Sequence, residues 1–409
     1  MKHSKTQNTD WNSLLSKIPE SVAGVFHSDT DGKSDWKQLL AFDPVATLII
    51  EDISDLKDLH KFLNQNKAHL CAGFLSYDLG LELKGIKSVH RSRHPLVVFQ
   101  AYDSWVENGQ TDLHVHSTSA EYHRQIETIL AKPASKPRRA SNSTFVPSLE
   151  QEAYKAGINR IHKYIRAGDF YQLNFTQQLI SQTESTPRAL FDQVRSRHPA
   201  AYAAYFEFEE MMVHSLSPEL FLHHDAGVLT TEPIKGTRPR ASDAQQDEIQ
   251  RNELLESEKE QAELFMITDL LRNDLGEVSE IGSVSLDAVK EIRKLPRVWH
   301  TYSRISSQIS SSYEPLDALL AMFPGGSITG CPKKRAMEVI DELEVSSRGI
   351  YTGSIGYFLP GGEFCFNIAI RTLIQQGPEL SLGSGGGITI DSKWDDEWEE
   401  LLIKATTFT

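Results

Sequence analysis

The period of apolar and polar positions changes several times along the chain. Ala46–Ile50 and Leu96–Tyr102 read as short strands, and Ile53–Asn64 between them reads as a helix. Cys71–Leu83, CAGFLSYDLGLEL, starts as a strand and turns helical at Tyr77–Gly80. Gln151–Ala167 has the period of an amphipathic helix, with Gly168 placed to stop it. Phe170–Ile180 then alternates, which puts Tyr171, Leu173 and Phe175 on one face of a strand. A long helix is predicted over Asp247–Arg272, where Leu264, Ile267, Leu270 and Leu271 keep the helical period. Further strands are predicted at Ile350–Leu359, Glu363–Ile374 and Ile388–Ile390, followed by a helix around Trp394–Ala405. Strands and helices cluster instead of alternating one for one, and no internal repeat is visible. That favours an α+β fold over a doubly wound sheet.

One stretch breaks the pattern. Ala131–Leu149, AKPASKPRRASNSTFVPSL, holds three prolines, five serine/threonine residues and the basic cluster Lys136, Arg138 and Arg139. It reads as an exposed linker between residues 1–130 and 150–409, its basic cluster as a solvated face. Composition narrows the picture further. The 409 residues are 39% hydrophobic and 24% charged, as in a soluble globular protein. At roughly 150 residues per domain, two or three domains or one large one would fit. The net charge of −14 argues against a nucleic-acid or anionic-membrane partner, because either needs a concentrated basic footprint. No run approaches the ~18 apolar residues of a membrane span, and the polar Met1–Asn12 lacks a signal-peptide core. Cys71, Cys331 and Cys365 are far apart, which excludes a disulfide scaffold and a cysteine zinc site. A cytoplasmic protein is expected.

Several segments carry candidate chemistry. Gly383–Gly387 is followed by β-branched residues and not by a helix, so it fails as a dinucleotide fingerprint. Pro324–Met337, PGGSITGCPKKRAM, has P-loop glycine spacing at Gly325 and Gly330. Cys331 and Pro332 stand where Lys and Ser/Thr would be needed, so ATP binding is rejected. What remains is either a tight turn or a glycine loop whose amides suit an anion. Lys235, at the end of a strand-like run, is either a solvated charge or, if buried, a nucleophile or base. Glu263 reads as a boundary carboxylate, and Glu400 with Lys404 as a surface i,i+4 pair. Alternatively, glutamates on two helices could share Mg2+. His300 alone reads as a core histidine. Arg371 in an apolar run needs an anionic partner, which makes it a ligand-binding candidate.

Taken together, the chain resembles the chorismate-utilising enzymes, and within them the aminodeoxychorismate branch. The matching stretches are Ser217–Phe221 (SPELF), Pro233–Arg240 (PIKGTRPR), Asp269–Gly276 (DLLRNDLG) and Pro324–Met337. Gly353–Tyr357 (GSIGY), Ile368–Thr372 (IAIRT) and Gly385–Ser392 (GGGITIDS) follow in family order, ending in Glu400 and Lys404. Residues 1–130 match more weakly, through GFLSYDLG at Gly73–Gly80. The resemblance implies one large two-lobed α+β unit with two central β-sheets and helices outside. Residues 1–130 would contribute strands to it, 131–149 would be an excursion, and 150–409 would hold the chorismate site.

The resemblance also implies roles. Glu263 and Glu400 would bind Mg2+, which would hold the ring carboxylate of chorismate. Tyr357, Arg371, Gly385, Gly386, Gly387 and Lys404 would lie nearby, and Gly236, Thr237, Ser327 and Thr329 would line the rest of the pocket. Glu219 would be the general acid for the departing hydroxyl, which requires a raised pKa. His300 would act on the ring hydroxyl or the ether. Lys235 stands where anthranilate synthases typically have alanine, and would attack the ring to direct amination para to the carboxylate. Gln172 stands where water-activating relatives have lysine, which disfavours those reactions. Ammonia is expected from a glutamine amidotransferase subunit, since no glutaminase Cys-His-Glu constellation is visible; separately, no fused lyase is expected after Thr409. The alternatives are an anthranilate synthase component and a non-catalytic chorismate-binding regulator. Glu232, Leu264 and Cys331 depart from the usual pattern, Glu232 with an expected change of charge at the pocket entrance. No clear tryptophan-binding signature appears.

Overall fold

The computed structural model describes residues 2–7, 11–15, 22–30, 34–109, 112–131, 140 and 143–408. Among them, twelve strands form one sheet and ten form a second, and every pairing is antiparallel.

The two sheets pack face to face. On strand Tyr202–Phe208, Tyr202, Ala204 and Phe206 belong to a core cluster that also holds Leu70, Phe74, Ile355 and Tyr357 of the other sheet. Ala203 and Tyr205 point the other way into a second cluster, where Tyr205 meets Phe191 of helix Pro187–Arg197. A strand covered by a sheet on one face and a helix on the other must be apolar at nearly every position, and YAAYFEF is. Strands from the N-terminal segment enter both sheets. Gly24–His27 pairs with Tyr202–Phe208, and Leu70–Leu75 pairs with Ser354–Phe358.

The basic cluster of the proline-serine stretch lies outside the described residues. From Ser143 onward the chain is tied down: Val146–Pro147 pairs with Leu179 and Ile180, and the Ser148 amide donates to the Gln178 carbonyl.

Three sequence expectations change. The predicted helix over Asp247–Arg272 is two helices, Ala244–Glu256 and Glu258–Val278. Ser257 leaves the helical region and accepts a hydrogen bond from the Glu260 amide, so it stops one helix and caps the next. The predicted strand Glu363–Ile374 is also two, Phe364–Ile368 in the ten-stranded sheet and Thr372–Gln376 in the twelve-stranded one. Apolar patterning continues through the break because both halves are buried. Finally, Tyr171 precedes the strand Gln172–Gln182 and is 74% exposed, whereas Leu173 and Phe175 are buried as expected.

Candidate active site

Two chain segments cross together from one sheet to the other. Strand Met211–Ser217 pairs with Thr372–Gln376 in the twelve-stranded sheet, and their continuations Leu220–Asp225 and Phe364–Ile368 pair in the ten-stranded one. At the crossing the Leu216 amide donates to the Arg371 carbonyl and the Ile368 amide to the Glu219 carbonyl. The Ser217 hydroxyl donates to the Ile368 carbonyl at 2.6 Å. Glu219 and Arg371 are thus carried by paired crossover points.

Arg371 has a left-handed φ of +47° and is half-buried. Its guanidinium makes no ion pair with a described carboxylate, and burial holds its pKa below the ordinary value. A part-buried cation without a counter-ion is suited to an anionic ligand. Glu219 is 4% exposed. Burial pushes its carboxyl up to about 7, although the Ser327 hydroxyl and the Lys235 charge pull the other way. A carboxylic acid at that value holds a proton near neutrality and can give it up.

Lys235 and Thr237 lie on strand Ile234–Pro239, which pairs with Val298–Gln308. The register slips between them, so Gly236 forms a bulge with φ +77°. The left-handed φ favours glycine, and a Cβ there, 2.5 Å from Glu260 Oε2 and 2.7 Å from Leu254 Cδ1, would also push those two side chains aside. The Lys235 Nζ lies 3.9 Å from Glu263 Oε2 on helix Glu258–Val278. The Thr237 hydroxyl is 2.9 Å from His300 Nδ1, and the Gly236 carbonyl is 3.4 Å from it. A carbonyl only accepts, which assigns the proton to Nδ1 and leaves a lone pair on Nε2. Nε2 is buried with no partner among the described residues. Burial, then Arg371, push the ring down to about 3, so His300 is a neutral imidazole.

The opposite wall is strand Glu379–Ile388, paired in unbroken register with Gln172–Gln182. A Cβ at Gly385 would lie 2.2 Å from the Phe175 carbonyl oxygen, and one at Gly387 would lie 2.0 Å from Gln172 Nε2. The Gln172 side chain is therefore packed on the glycine strand, with its Oε1 unpartnered. Gly386 faces Glu397 Oε2 and Lys404 Nζ. On the closing helix Trp394–Ala405, Lys404 donates to Glu400 Oε1 and to the Gly385 carbonyl, both at 2.7 Å. Burial opposes the Glu400 charge, but Lys404 and then Lys235 outweigh it and hold its pKa low. Lys235 thus couples to Glu219, Glu263 and Glu400.

These placements bring together Lys235, Gly236, Thr237, Glu219, Glu263, His300, Arg371, Ser327, Gly385, Gly386, Gly387, Glu400 and Lys404. Two expected lining residues are spent elsewhere. The Tyr357 hydroxyl accepts the Lys37 amide at 2.6 Å, and its ring packs on Phe26 and Trp36 between the sheets. The Thr329 hydroxyl donates within its own loop, to the Gly325 and Gly326 carbonyls. Glu232 does not reach a pocket entrance either. It is 2% exposed and is held by Arg293, Arg304 and the Tyr202 hydroxyl.

The sequence reading passed over four residues. Glu260 and Glu397 stand three positions before Glu263 and Glu400, and this repeated spacing was a usable signal. Glu344 and Arg348 form a buried ion pair that also binds the Thr176 amide and the Ile328 and Asn174 carbonyls. It fastens the Ser327 loop to the back of the glycine strand's partner. Among the described residues no three His, Cys, Asp or Glu side chains form a ready metal cluster. Glu263 and Glu400, both reached by the Lys235 charge, offer two hard oxygen donors. That fits Mg2+, which keeps several coordination positions for water or substrate oxygens.

Residues 26–409 match the family of chorismate binding enzymes, and the chain belongs to that family. It is 33% identical to an anthranilate synthase component 1 of Haloarcula marismortui, over 94% of this chain and 86% of that protein. It is 34% identical to aminodeoxychorismate synthase component 1 of Bacillus subtilis, over 81% of this chain and 74% of that protein. The crystal structure of anthranilate synthase component I from Streptococcus pneumoniae superposes with a TM-score of 0.80 at 27% identity, covering 96% of this chain and 93% of that one. Within the family, the chain is a chorismate-binding enzyme of the anthranilate and aminodeoxychorismate synthase component I group. No helix among the described residues is long and apolar enough to cross a membrane.

Proposed function

We propose that the chain is an aminodeoxychorismate synthase component I. It would convert chorismate and ammonia to 4-amino-4-deoxychorismate and water in the cytoplasm, for 4-aminobenzoate and folate synthesis. The observation that carries this reading is Lys235, presented by the Gly236 bulge between a buried acid and a carboxylate on the facing helix.

Lys235, having released its ammonium proton to solvent, attacks as the neutral amine at the ring carbon next to the carboxylate-bearing one, and the double bonds shift. The hydroxyl on the far carbon takes the Glu219 proton and leaves as water. Ammonia then bonds to that carbon, the lysine C–N bond breaks, and a proton from the new ammonium returns to Glu219. Atoms and charge balance, and the amine ends para to the carboxylate. A tethered amine has a large proximity advantage over free ammonia for the first step. His300 Nε2 would accept from a substrate hydroxyl, Arg371 would pair with a substrate carboxylate, and the glycine strand would let the ring approach the backbone. Mg2+ held by Glu263 and Glu400 would bind the ring carboxylate and withdraw charge from it. A glutamine amidotransferase subunit would supply the ammonia.

The relatives' names divide between two products, so the assay must separate them. The protein is incubated with chorismate, Mg2+ and ammonium, and aminodeoxychorismate lyase is then added. 4-Aminobenzoate appearing only with lyase is the expected result. Anthranilate formed without lyase would overturn the reading in favour of an anthranilate synthase.

A further inference from the structure

Lys235 is shared among carboxylates. Its ammonium lies 3.9 Å from Glu263 Oε2, and its charge also reaches Glu219 and Glu400. Glu400 is itself paired with Lys404 at 2.7 Å. Each glutamate of the proposed metal pair thus carries a lysine counter-ion from its own chain. A divalent cation seated at about 2.1 Å from a carboxylate oxygen leaves little room for an ammonium on the same group, and the two cations repel. Lys259, on the first turn of the helix that carries Glu263, couples to Glu400 and Glu397 but makes no ion pair among the described residues.

We propose that Lys235 competes with the divalent cation for Glu263, so that the metal displaces the lysine from that carboxylate and leaves it to the space beside Glu219. The inference rests on Glu263 being a metal ligand, as in the function proposed above. It adds an order of events: the nucleophile comes free of its counter-ion when the metal takes that counter-ion over. Until then, the lysine offsets repulsion between the two glutamates. Lys235 would therefore tune metal affinity as well as attack the ring, two roles a single substitution separates by different readouts.

Metal binding is measured directly on the whole chain without chorismate, by calorimetry with Mg2+ and by loss of the free-ion EPR signal with Mn2+. Lys235→Met is expected to tighten binding about tenfold, since a cation near the dication is removed. Lys235→Arg keeps a competing cation and is expected to stay within about twofold of the unaltered protein. Lys259→Met removes a nearby charge without breaking an ion pair and measures the plain field effect. Lys235→Met that tightens binding no more than Lys259→Met overturns the competition. Glu263→Gln tests the underlying reading separately. It should abolish binding, and unchanged binding would remove the metal from Glu263 whatever Lys235 does. Thermal melts of each variant show that the fold is retained.

Discussion

The two walls of the site are built on opposite plans. The glycine strand Glu379–Ile388 keeps an unbroken register with its neighbour over Leu173 to Gln182 and presents backbone. The facing wall, from the ten-stranded sheet, slips register in pairing after pairing and presents side chains that exchange or hold protons. Regular pairing suits a surface that must be flat and close to a ring. Irregular pairing suits a surface that must aim single side chains, because each bulge turns the following residue out of strict alternation. Shape is assigned to one sheet and chemistry to the other.

The strongest test alters one group on the chemical wall. Glu219→Gln keeps the shape and removes the acid, so kcat should fall between about a hundred- and ten-thousandfold with little change in KM. The same variant should be more stable at high pH. Glu219 binds its proton more tightly folded than unfolded, so its contribution to stability is present below its ordinary value of 4.5 and lost as pH rises through about 7. That loss is about 3 kcal/mol and should vanish in the variant, as melts at pH 5 and pH 8 would show. A variant that loses activity and also melts earlier at pH 8 would refute the assignment of a strained, buried acid.

On the other wall the expected effect is the reverse. Gly385→Ala puts a methyl group 2.2 Å from the Phe175 carbonyl oxygen, on a backbone held by its pairing with the glycine strand and by the bond from the Thr176 amide to Glu344. A loss of more than ~3 kcal/mol in denaturant unfolding is expected, the upper range for overpacking. An unchanged midpoint would mean the strand is looser than its register implies.

Acid should weaken both walls. Burial first, opposed or aided by neighbours, pushes His94 down to about 4 and His214 and His300 down to about 3. The unfolded chain takes up protons there that the folded chain refuses. The contribution of these histidines is therefore full above pH ~6.5 and falls below it, by roughly 1.4 kcal/mol per pH unit for each group. Chemical denaturation at pH 7 and pH 5 measures the slope, and a flat profile would contradict it.

The smallest effect concerns Tyr357. Tyr357→Phe removes one hydrogen bond to the Lys37 amide and should cost about 1 kcal/mol while leaving KM for chorismate unchanged. A raised KM would return its hydroxyl to the pocket.

The chemistry was legible where it depends on neighbours in the chain. Lys235 beside Gly236 left a solvated charge and a reactive amine both open, and the β-branched residues after Gly383–Gly387 excluded a dinucleotide loop, although the strand expected at Ile388–Ile390 is instead the end of Glu379–Ile388. Arg371 was recognisable as a cation in need of an anion, but its place was not: the run looked like one strand and is a crossing between two sheets. Glu344 and Arg348 show the opposite error. Their i,i+4 spacing is that of a surface pair, yet both are buried. The net charge of −14 would oppose the dianionic substrate proposed, and the cations that would answer it, Lys235, Arg371 and Lys404, come from distant segments.

Residue types, glycine placement and apolar period settled what each segment could form and which groups could donate, accept or attack, since these depend on covalent neighbours and local backbone. Which carboxylates share Lys235, which hydroxyls remain free and where the chain passes between sheets are long-range packing outcomes. Tyr357 and Arg371 lie on successive apolar runs joined by a turn, yet one is locked in the core and the other stands at the crossing with no ion pair to a described carboxylate. Only the folding of two sheets against each other separates them.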